Sequence, residues 1–105
     1  MEKRTKLELK GTEFPFYRTN RGQFDFENAG YSTNDMAEGK MSAMLAFIFF
    51  QSRDCAKRAN ITFPFTDLND FVDNTTPDII AVFSRLKEAE QAAVKNKTNK
   101  VPEGK

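Results

Sequence analysis

The chain has 105 residues, a formal net charge of +1, one cysteine and no histidine. Without histidine, no Ser-His or Cys-His pair and no histidine-held metal can form within one chain, and the near-neutral charge argues against nucleic acid as a partner. The lone Cys55 cannot form a disulfide within the chain. We therefore expect an intracellular protein with a single globular domain over residues 1–95.

The first predicted element is a β-hairpin. Residues 6–10, KLELK, alternate leucine with charged residues, which is the period of a strand, and a Gly-Thr pair then indicates a turn. Residues 13–18, EFPFYR, continue the alternation in a second strand. Pro15 should face away from the partner strand because it has no N–H. Two strands alone are marginal, so the hairpin should pack on helices or pair with another chain.

The next segment permits two interpretations. Residues 19–30 favour a short helix that Asn20 caps and that Gly30 ends in a left-handed conformation. The sequence GQFDFE within this segment also alternates like a strand, so the strand interpretation stays open at this point. Residues 32–39 are polar and predict a loop with no more than a partial turn at its end.

A long helix is predicted from Met41 to about Ala59, with Asn60 as its stop. Its first ten residues, MSAMLAFIFF, are apolar on every side of the helix but too few to span a bilayer. A helix that is apolar all round must be buried or must bind something. We expect it to be the structural centre of the domain, with Leu45 and Ile48 in the core.

Four phenylalanines are candidates for a surface that binds another protein. Phe47 and Phe50 lie on the stripe opposite the predicted core stripe of the long helix. Phe63 and Phe65 follow in an extended connector, ITFPF, in which a proline blocks strand pairing. One flank of so small a domain does not easily hide four such rings, although the core remains the alternative place for all of them.

The C-terminal part predicts two more helices and a tail. The first is short, with Thr66 as its cap and Asp67 in its first turn. The TPD sequence at residues 76–78 predicts the start of the last helix, since it supplies a cap, a proline and an acid. Apolar residues then recur at helical spacing as far as Ala93. Residues 96–105 are basic, lack this periodicity and predict a disordered tail.

Because strands come first and helices follow, the predicted fold is α+β and mainly helical, with an N-terminal β-hairpin before a bundle of about four helices. Cys55 lies on the apolar stripe of the long helix and predicts a buried structural thiol. The acids at positions 67, 70 and 73 do not have the alternate spacing of a calcium loop. We expect no enzymatic activity, no cofactor and no bound metal.

The order of these elements resembles that of the tail assembly chaperones of long-tailed bacteriophages and prophages. LELKGTEFPFYR resembles the N-terminal strand pair of that family, and RGQFDFENAGYS resembles its short helix with a glycine stop. MSAMLAFIFFQSRDCAKRAN is similar to its long helix rich in alanine and leucine. ITFPFTDLNDFVDN resembles its threonine-capped acidic segment, and TPDIIAVFSRLKEAEQA its last helix. The resemblance is one of pattern and covers roughly residues 6–94.

The resemblance implies a chaperone in the cytoplasm of the host cell. Such a protein binds the tape-measure protein and keeps its apolar helices soluble until tail-tube subunits polymerise around them. The implied partners are therefore the tape-measure protein, with the tail-tube protein and a second copy of the chain as further candidates, and neither nucleic acid nor membrane. The alternative is a structural virion component, such as a tail-completion or connector protein. A small DNA-binding regulatory domain is less favoured.

Overall fold

A computed structural model of the chain describes the backbone of residues 5–100 and the side chains of residues 5–91. Its elements in chain order are β1 (Thr5–Leu9), β2 (Thr12–Phe16), α1 (Asn20–Asn28), α2 (Thr33–Ala37), α3 (Met41–Arg58), α4 (Leu68–Asp73), a 3₁₀-helix (Pro77–Ala81) and α5 (Val82–Lys100). The predicted α+β, mainly helical class is confirmed. The described part contains five α-helices where about four were expected.

The hairpin is antiparallel, and its register leaves Lys10 and Gly11 as a two-residue turn. Both residues have positive φ, 51° and 77°, which is the conformation of a type I′ turn. The residue pair beside a two-residue turn is hydrogen-bonded, and the pairs alternate from there. Pro15, opposite Lys6, therefore occupies a pair without ladder hydrogen bonds. Its missing N–H costs the sheet nothing, as expected.

The hairpin packs on helices through one apolar face. Four apolar side chains on this face are buried: Leu7, Leu9, Phe14 and Phe16. β2 lies against α3, and β1 lies against α5. The Thr5 hydroxyl donates to the carbonyl oxygen of Arg85 at 3.2 Å, and Arg85 Nη1 donates to the Lys6 carbonyl oxygen at 3.3 Å. The first strand is thus attached to the last helix.

α3 is the central element, because α1, α2, α4 and β2 all pack against it. Its buried residues lie on several sides of the helix: Ala43, Ala46, Phe47, Ile48, Phe49, Gln51, Ser52, Asp54, Cys55 and Ala56. This is the burial expected of a helix that is apolar all round. Ile48 is buried as expected, whereas Leu45 is only partly buried and packs against the edge of the core.

Three helices end in the same hydrogen-bonded motif. Gly30, Gly39 and Asn60 follow α1, α2 and α3 with φ values of 99°, 85° and 61°. After α3, the N–H of Ile61 donates to the Ala56 carbonyl oxygen at 2.8 Å, which is the long bond of a Schellman motif. The stops at Gly30 and Asn60 were expected. The stop at Gly39 closes α2, a one-turn helix in the segment predicted as a loop.

Two helix caps lie one residue away from their predicted positions. Thr19, not Asn20, caps α1, and its hydroxyl accepts a first-turn backbone N–H at 2.9 Å. Asp67, not Thr66, caps α4, and its carboxylate accepts the N–H of Asp70 at 2.8 Å. In both cases the capping residue is the last one with extended backbone, which is the conformation that an N-cap requires.

The last helix differs from its prediction at both ends. The TPD sequence begins a 3₁₀ turn, in which the N–H of Ile79 donates to the Thr76 carbonyl oxygen at 3.0 Å, and α5 starts only at Val82. α5 then runs to Lys100, beyond the last apolar repeat at Ala93. Residues 96–100 of the predicted tail therefore have helical backbone, and residues 101–105 lie outside the described part.

Candidate functional site

The four phenylalanines predicted to form a protein-binding surface divide between core and surface. Phe47 is 0% exposed and Phe65 is 6% exposed, so both belong to the core. Phe50 and Phe63 are partly buried. The expectation that Phe47 reaches the surface is wrong, because neighbouring helices cover its stripe of α3. Contact of Phe50 and Phe63 with a partner stays a prediction.

Phe47 lies in a stack that connects α1, α3 and α5. Its ring meets that of Phe26 edge-on, with centroids 5.5 Å apart, and lies nearly parallel to that of Phe83 at 5.7 Å. The guanidinium carbon of Arg18 lies 5.1 Å from the Phe47 centroid, and Arg18 Nε donates to Glu90 Oε2 at 2.6 Å. Phe47 is therefore a buried ring against which Phe83 and Arg18 pack, and a partner cannot reach it.

On another side of α3, five phenylalanines pack on one another. This set is the aromatic cluster: Phe49, Phe50, Phe63, Phe65 and Phe71. Phe49 is its centre, with ring centroids of three neighbours 5.0–5.7 Å away. The guanidinium carbon of Arg53 lies 5.1 Å from the centroids of both Phe49 and Phe50. The aromatic cluster is thus filled by its own rings and partly covered by a cation.

An open groove lies between α2, the start of α3 and the start of α5. It has a volume of about 410 Å³, and three large apolar side chains, Met36, Met44 and Phe83, line it. All three are partly exposed. Arg18 and Lys87 are the charged residues of its lining. This surface is the methionine groove, and it combines an apolar lining with two cations.

An exposed methionine extends this apolar surface beyond the groove. Met41 is 46% exposed and precedes Met44 by three residues, so the two lie on the same side of α3. Methionine side chains are unbranched, flexible and polarisable, and they adapt to partners of different shape. The groove and Met41 together form a surface suited to an apolar ligand of variable sequence.

Sequence reasoning missed the methionine groove because it assigned α2 to a loop. A usable signal was present. The Ser32 hydroxyl accepts the N–H of Asp35 at 3.1 Å, which is a standard N-cap contact, and Gly39 occupies the left-handed stop position. A cap residue and a glycine seven positions apart enclose a helix of one turn, and that turn carries Met36.

A second cleft, of about 490 Å³, lies between the free edge of β1 and the segment that precedes α5. Its lining carries charges of both signs, among them Lys6 and Lys10 against Glu8 and Asp78. Arg85 already bonds one outward carbonyl oxygen of this strand edge. The cleft therefore has no single charge that would select a class of ligand.

Asp54 is a buried carboxylate whose pKa is shifted. Burial raises its pKa, but hydrogen bonds from Arg58 and Thr19 and the positive charges of Arg58 and Lys57 outweigh burial, so the pKa lies below its usual value. Arg58 Nε donates to Asp54 Oδ2 at 2.6 Å, one helical turn along α3. A carboxylate held ionised in this way forms a structural ion pair and is poorly suited to general acid catalysis.

The chemistry of the remaining described residues is limited. Cys55 is buried, as expected for a structural thiol, and its sulfur donates to the Tyr17 carbonyl oxygen at 3.2 Å. Within the described residues, no group of three or more carboxylate or thiol side chains is arranged to hold a metal ion. Among the helices of this part of the chain, none is both long and apolar enough to cross a bilayer.

The chain was also compared with known proteins. No protein-family model matches it, and neither the curated proteins nor the solved structures give a match. The observations that bear on its function are therefore the order of its elements and the geometry of its surface.

Proposed function

We propose that this chain is a phage tail assembly chaperone that binds the tape-measure protein in the cytoplasm of the host cell and keeps it soluble. The observation that carries the proposal is the methionine groove. It is open, has a volume of about 410 Å³ and presents Met36, Met44 and Phe83 to a ligand. Pockets for drug-sized ligands have volumes of about 300–1,000 Å³, so the groove has room for several side chains of a helix.

The walls of the groove favour a helix as the ligand. α2, α3 and α5 border it, and a helix laid between them inserts side chains at spacings of three, four and seven residues into an apolar groove. A protein that holds a long client must accept many different segments of it. Methionine suits this task better than branched or aromatic residues, because its three rotatable bonds let it repack around each segment.

The order of the elements gives independent support. A strand pair, a short helix with a glycine stop, a long central helix, a second short helix and a final helix follow one another. The tail assembly chaperones that the sequence resembles have this order of elements. Asp67 caps the second short helix, whereas the corresponding segment of the family is threonine-capped. The one-turn helix α2 is an addition to that pattern, and it contributes Met36 to the methionine groove.

Co-expression with the tape-measure protein of the same genome tests the proposal. We expect the tape-measure protein to be insoluble alone and soluble with the wild-type chain. Met41→Glu and Met44→Glu should each reduce the soluble fraction, because they place a charge on the proposed contact surface. Val72→Glu is the matched control, since Val72 is 41% exposed on α4 and does not line the groove. Thermal unfolding of each purified variant verifies that its fold is retained.

Three outcomes would contradict the proposal. In the first, the client stays insoluble with the wild-type chain. In the second, Val72→Glu impairs rescue as much as Met41→Glu does. In the third, mature particles contain the wild-type chain at stoichiometric levels, and the chain is then a structural virion component. The same assay with Phe50→Asp tests one of the two predicted contacts that remain, with circular dichroism to confirm that the fold is retained.

A further inference from the structure

We infer that the methionine groove selects helices whose apolar stripe is flanked by carboxylates, with Lys87 and Arg18 as the residues that recognise them. This inference rests on the proposed function and adds the chemistry of the bound segment. A groove whose lining was entirely apolar would accept any amphipathic helix. The two cations of its lining restrict which helix fits.

The first argument is the sign of the charges. Among the described residues that line the groove, Arg18 and Lys87 are charged, and no aspartate or glutamate is present. Both cations stand beside the apolar lining and not at a distance from it. A helix that inserts apolar side chains between α2 and α5 therefore brings its flanking residues next to these two side chains. Carboxylates at those positions complement the groove, whereas lysines or arginines are repelled.

The second argument is that both cations keep hydrogen-bond donors available. No described carboxylate forms an ion pair with Lys87. Arg18 uses its Nε for Glu90, and no described acceptor bonds its terminal amino groups. A guanidinium has five N–H donors in a planar fork, so the Glu90 contact leaves others for a second carboxylate. Arg18 and Glu90 are both about half exposed, which leaves this side of the pair open to a partner.

The third argument is that Arg18 is held in place. Its guanidinium carbon lies 5.1 Å from the centroid of the buried Phe47 ring. Glu90 of α5 holds the guanidinium as well, with Arg18 Nε 2.6 Å from Glu90 Oε2. A positioned guanidinium loses less conformational freedom when it binds a carboxylate than a freely moving one does. Lys87 is exposed, and no described carboxylate positions it, so we expect it to contribute mainly through its charge.

The test uses two synthetic helical peptides of about 20 residues, which is long enough to cross the groove. Both carry leucine and methionine in the same apolar stripe; one has glutamate on its flanks and the other has lysine. Fluorescence anisotropy with the purified full chain measures their affinities. At low salt, the glutamate peptide should bind about tenfold more tightly than the lysine peptide, and the difference should shrink at about 0.5 M salt.

A pair of charge variants assigns the effect to the groove. Lys87→Glu should weaken binding of the glutamate peptide about fivefold, as expected for a partly exposed ion pair. Lys57→Glu is the matched control, because it changes the net charge equally and lies about 20 Å away from Met44 along α3. It should leave the affinity nearly unchanged. Equal affinities of the two peptides, equal effects of the two variants, or no binding of either peptide would each overturn the inference.

The two proposals fail separately. If neither peptide binds but the tape-measure protein is still rescued, the acidic-helix inference is wrong and the proposed function stands. If the glutamate peptide binds with the expected salt dependence but rescue fails, the selectivity of the groove stands and the tape-measure protein is not its ligand.

Discussion

Two sides of α3 are packed in different ways. On one side, Phe49 is buried among rings whose centroids lie 5.0–5.7 Å from its own, and Arg53 covers part of the cluster. On the other side, Met44 borders a groove of about 410 Å³, and Met41 is nearly half exposed. One helix thus contributes both a closed aromatic core and an open apolar surface.

The difference in packing reflects where methionine and phenylalanine occur along α3. Methionines occur in the first turn of MSAMLAFIFF, and phenylalanines occupy its second half. Aromatic rings have few rotamers and gain energy from specific edge-to-face geometry, so they favour one packed arrangement. Methionine has three rotatable bonds and a soft thioether, so it tolerates several arrangements. The aromatic cluster therefore favours a single packed arrangement, whereas the methionine groove has the adaptability that the proposed binding of a client requires.

The strongest way to break this comparison is to remove the centre of the aromatic cluster. Phe49→Ala should lower the free energy of unfolding by about 3–5 kcal/mol, because it deletes a buried ring and leaves a cavity. Urea unfolding measures the loss. Phe24→Ala is the control, since Phe24 is exposed on α1, and it should change stability by less than about 0.5 kcal/mol. A loss below about 1 kcal/mol for Phe49→Ala would show that the cluster can collapse around the gap.

A smaller effect is expected where α1 meets α3 through polar groups. A Cβ at Gly22 would lie 2.3 Å from Gln51 Oε1, and Gln51 would have to move. In the wild-type chain, the side-chain oxygen Oε1 of the buried Gln51 accepts the N–H of Thr19 at 2.8 Å. Gly22→Ala should destabilise the fold by about 2 kcal/mol, although alanine itself favours a helix by about 1 kcal/mol. Thermal and urea unfolding measure the loss of stability. A variant more stable than wild type would contradict the expected clash between the new Cβ and Gln51.

The ion pair at Asp54 should make part of the stability depend on pH. The pKa of Asp54 in the fold lies below its ordinary value of 3.8, so the ionised carboxylate stabilises the folded state. This contribution is present above the pKa of the unfolded chain and is lost as the pH falls through the folded-state pKa. Between pH 6 and pH 3, the wild type should therefore lose more stability than Asp54→Asn. Parallel slopes for the two proteins in urea unfolding would refute this.

The smallest effect on stability should come from the methionine side. Met44→Leu conserves volume and should change the free energy of unfolding by less than about 1 kcal/mol, whereas Phe49→Leu should cost about 1–3 kcal/mol. The first substitution should nevertheless reduce co-purification with the tape-measure protein, because leucine adapts less well. If both substitutions to leucine cost the same stability, the two sides of α3 do not differ in the way described.

Sequence patterns predicted the elements whose signals are local. The alternation of side-chain types in residues 6–10 and 13–18 predicted the hairpin. The glycine and asparagine stops predicted the ends of α1 and α3. The caps were displaced by one residue because each site has two adjacent residues able to cap, and backbone conformation decides between them. α2 was missed because one turn is too short to show a helical period.

Half of the predicted binding residues were misplaced for a different reason. A helix that is apolar all round does not reveal which stripe its neighbours will cover. Phe47 is buried because Phe26 and Phe83, 21 and 36 positions away, pack on it from α1 and α5. The methionine groove likewise needs α2, α3 and α5 at the same place. Such surfaces depend on contacts between distant segments, which a pattern along one helix does not contain.

The attachment of β1 to α5 has a consequence for the order of events during synthesis. Thr5 and Arg85, which form one of its hydrogen bonds, are 80 positions apart in the chain. At ribosomal rates of about 5–20 residues per second, this interval lasts roughly 4–16 s. During that time the hairpin and α3 can pair, but the side of β1 that α5 covers stays exposed on the nascent chain. The domain therefore completes its fold only after the last helix has left the ribosome.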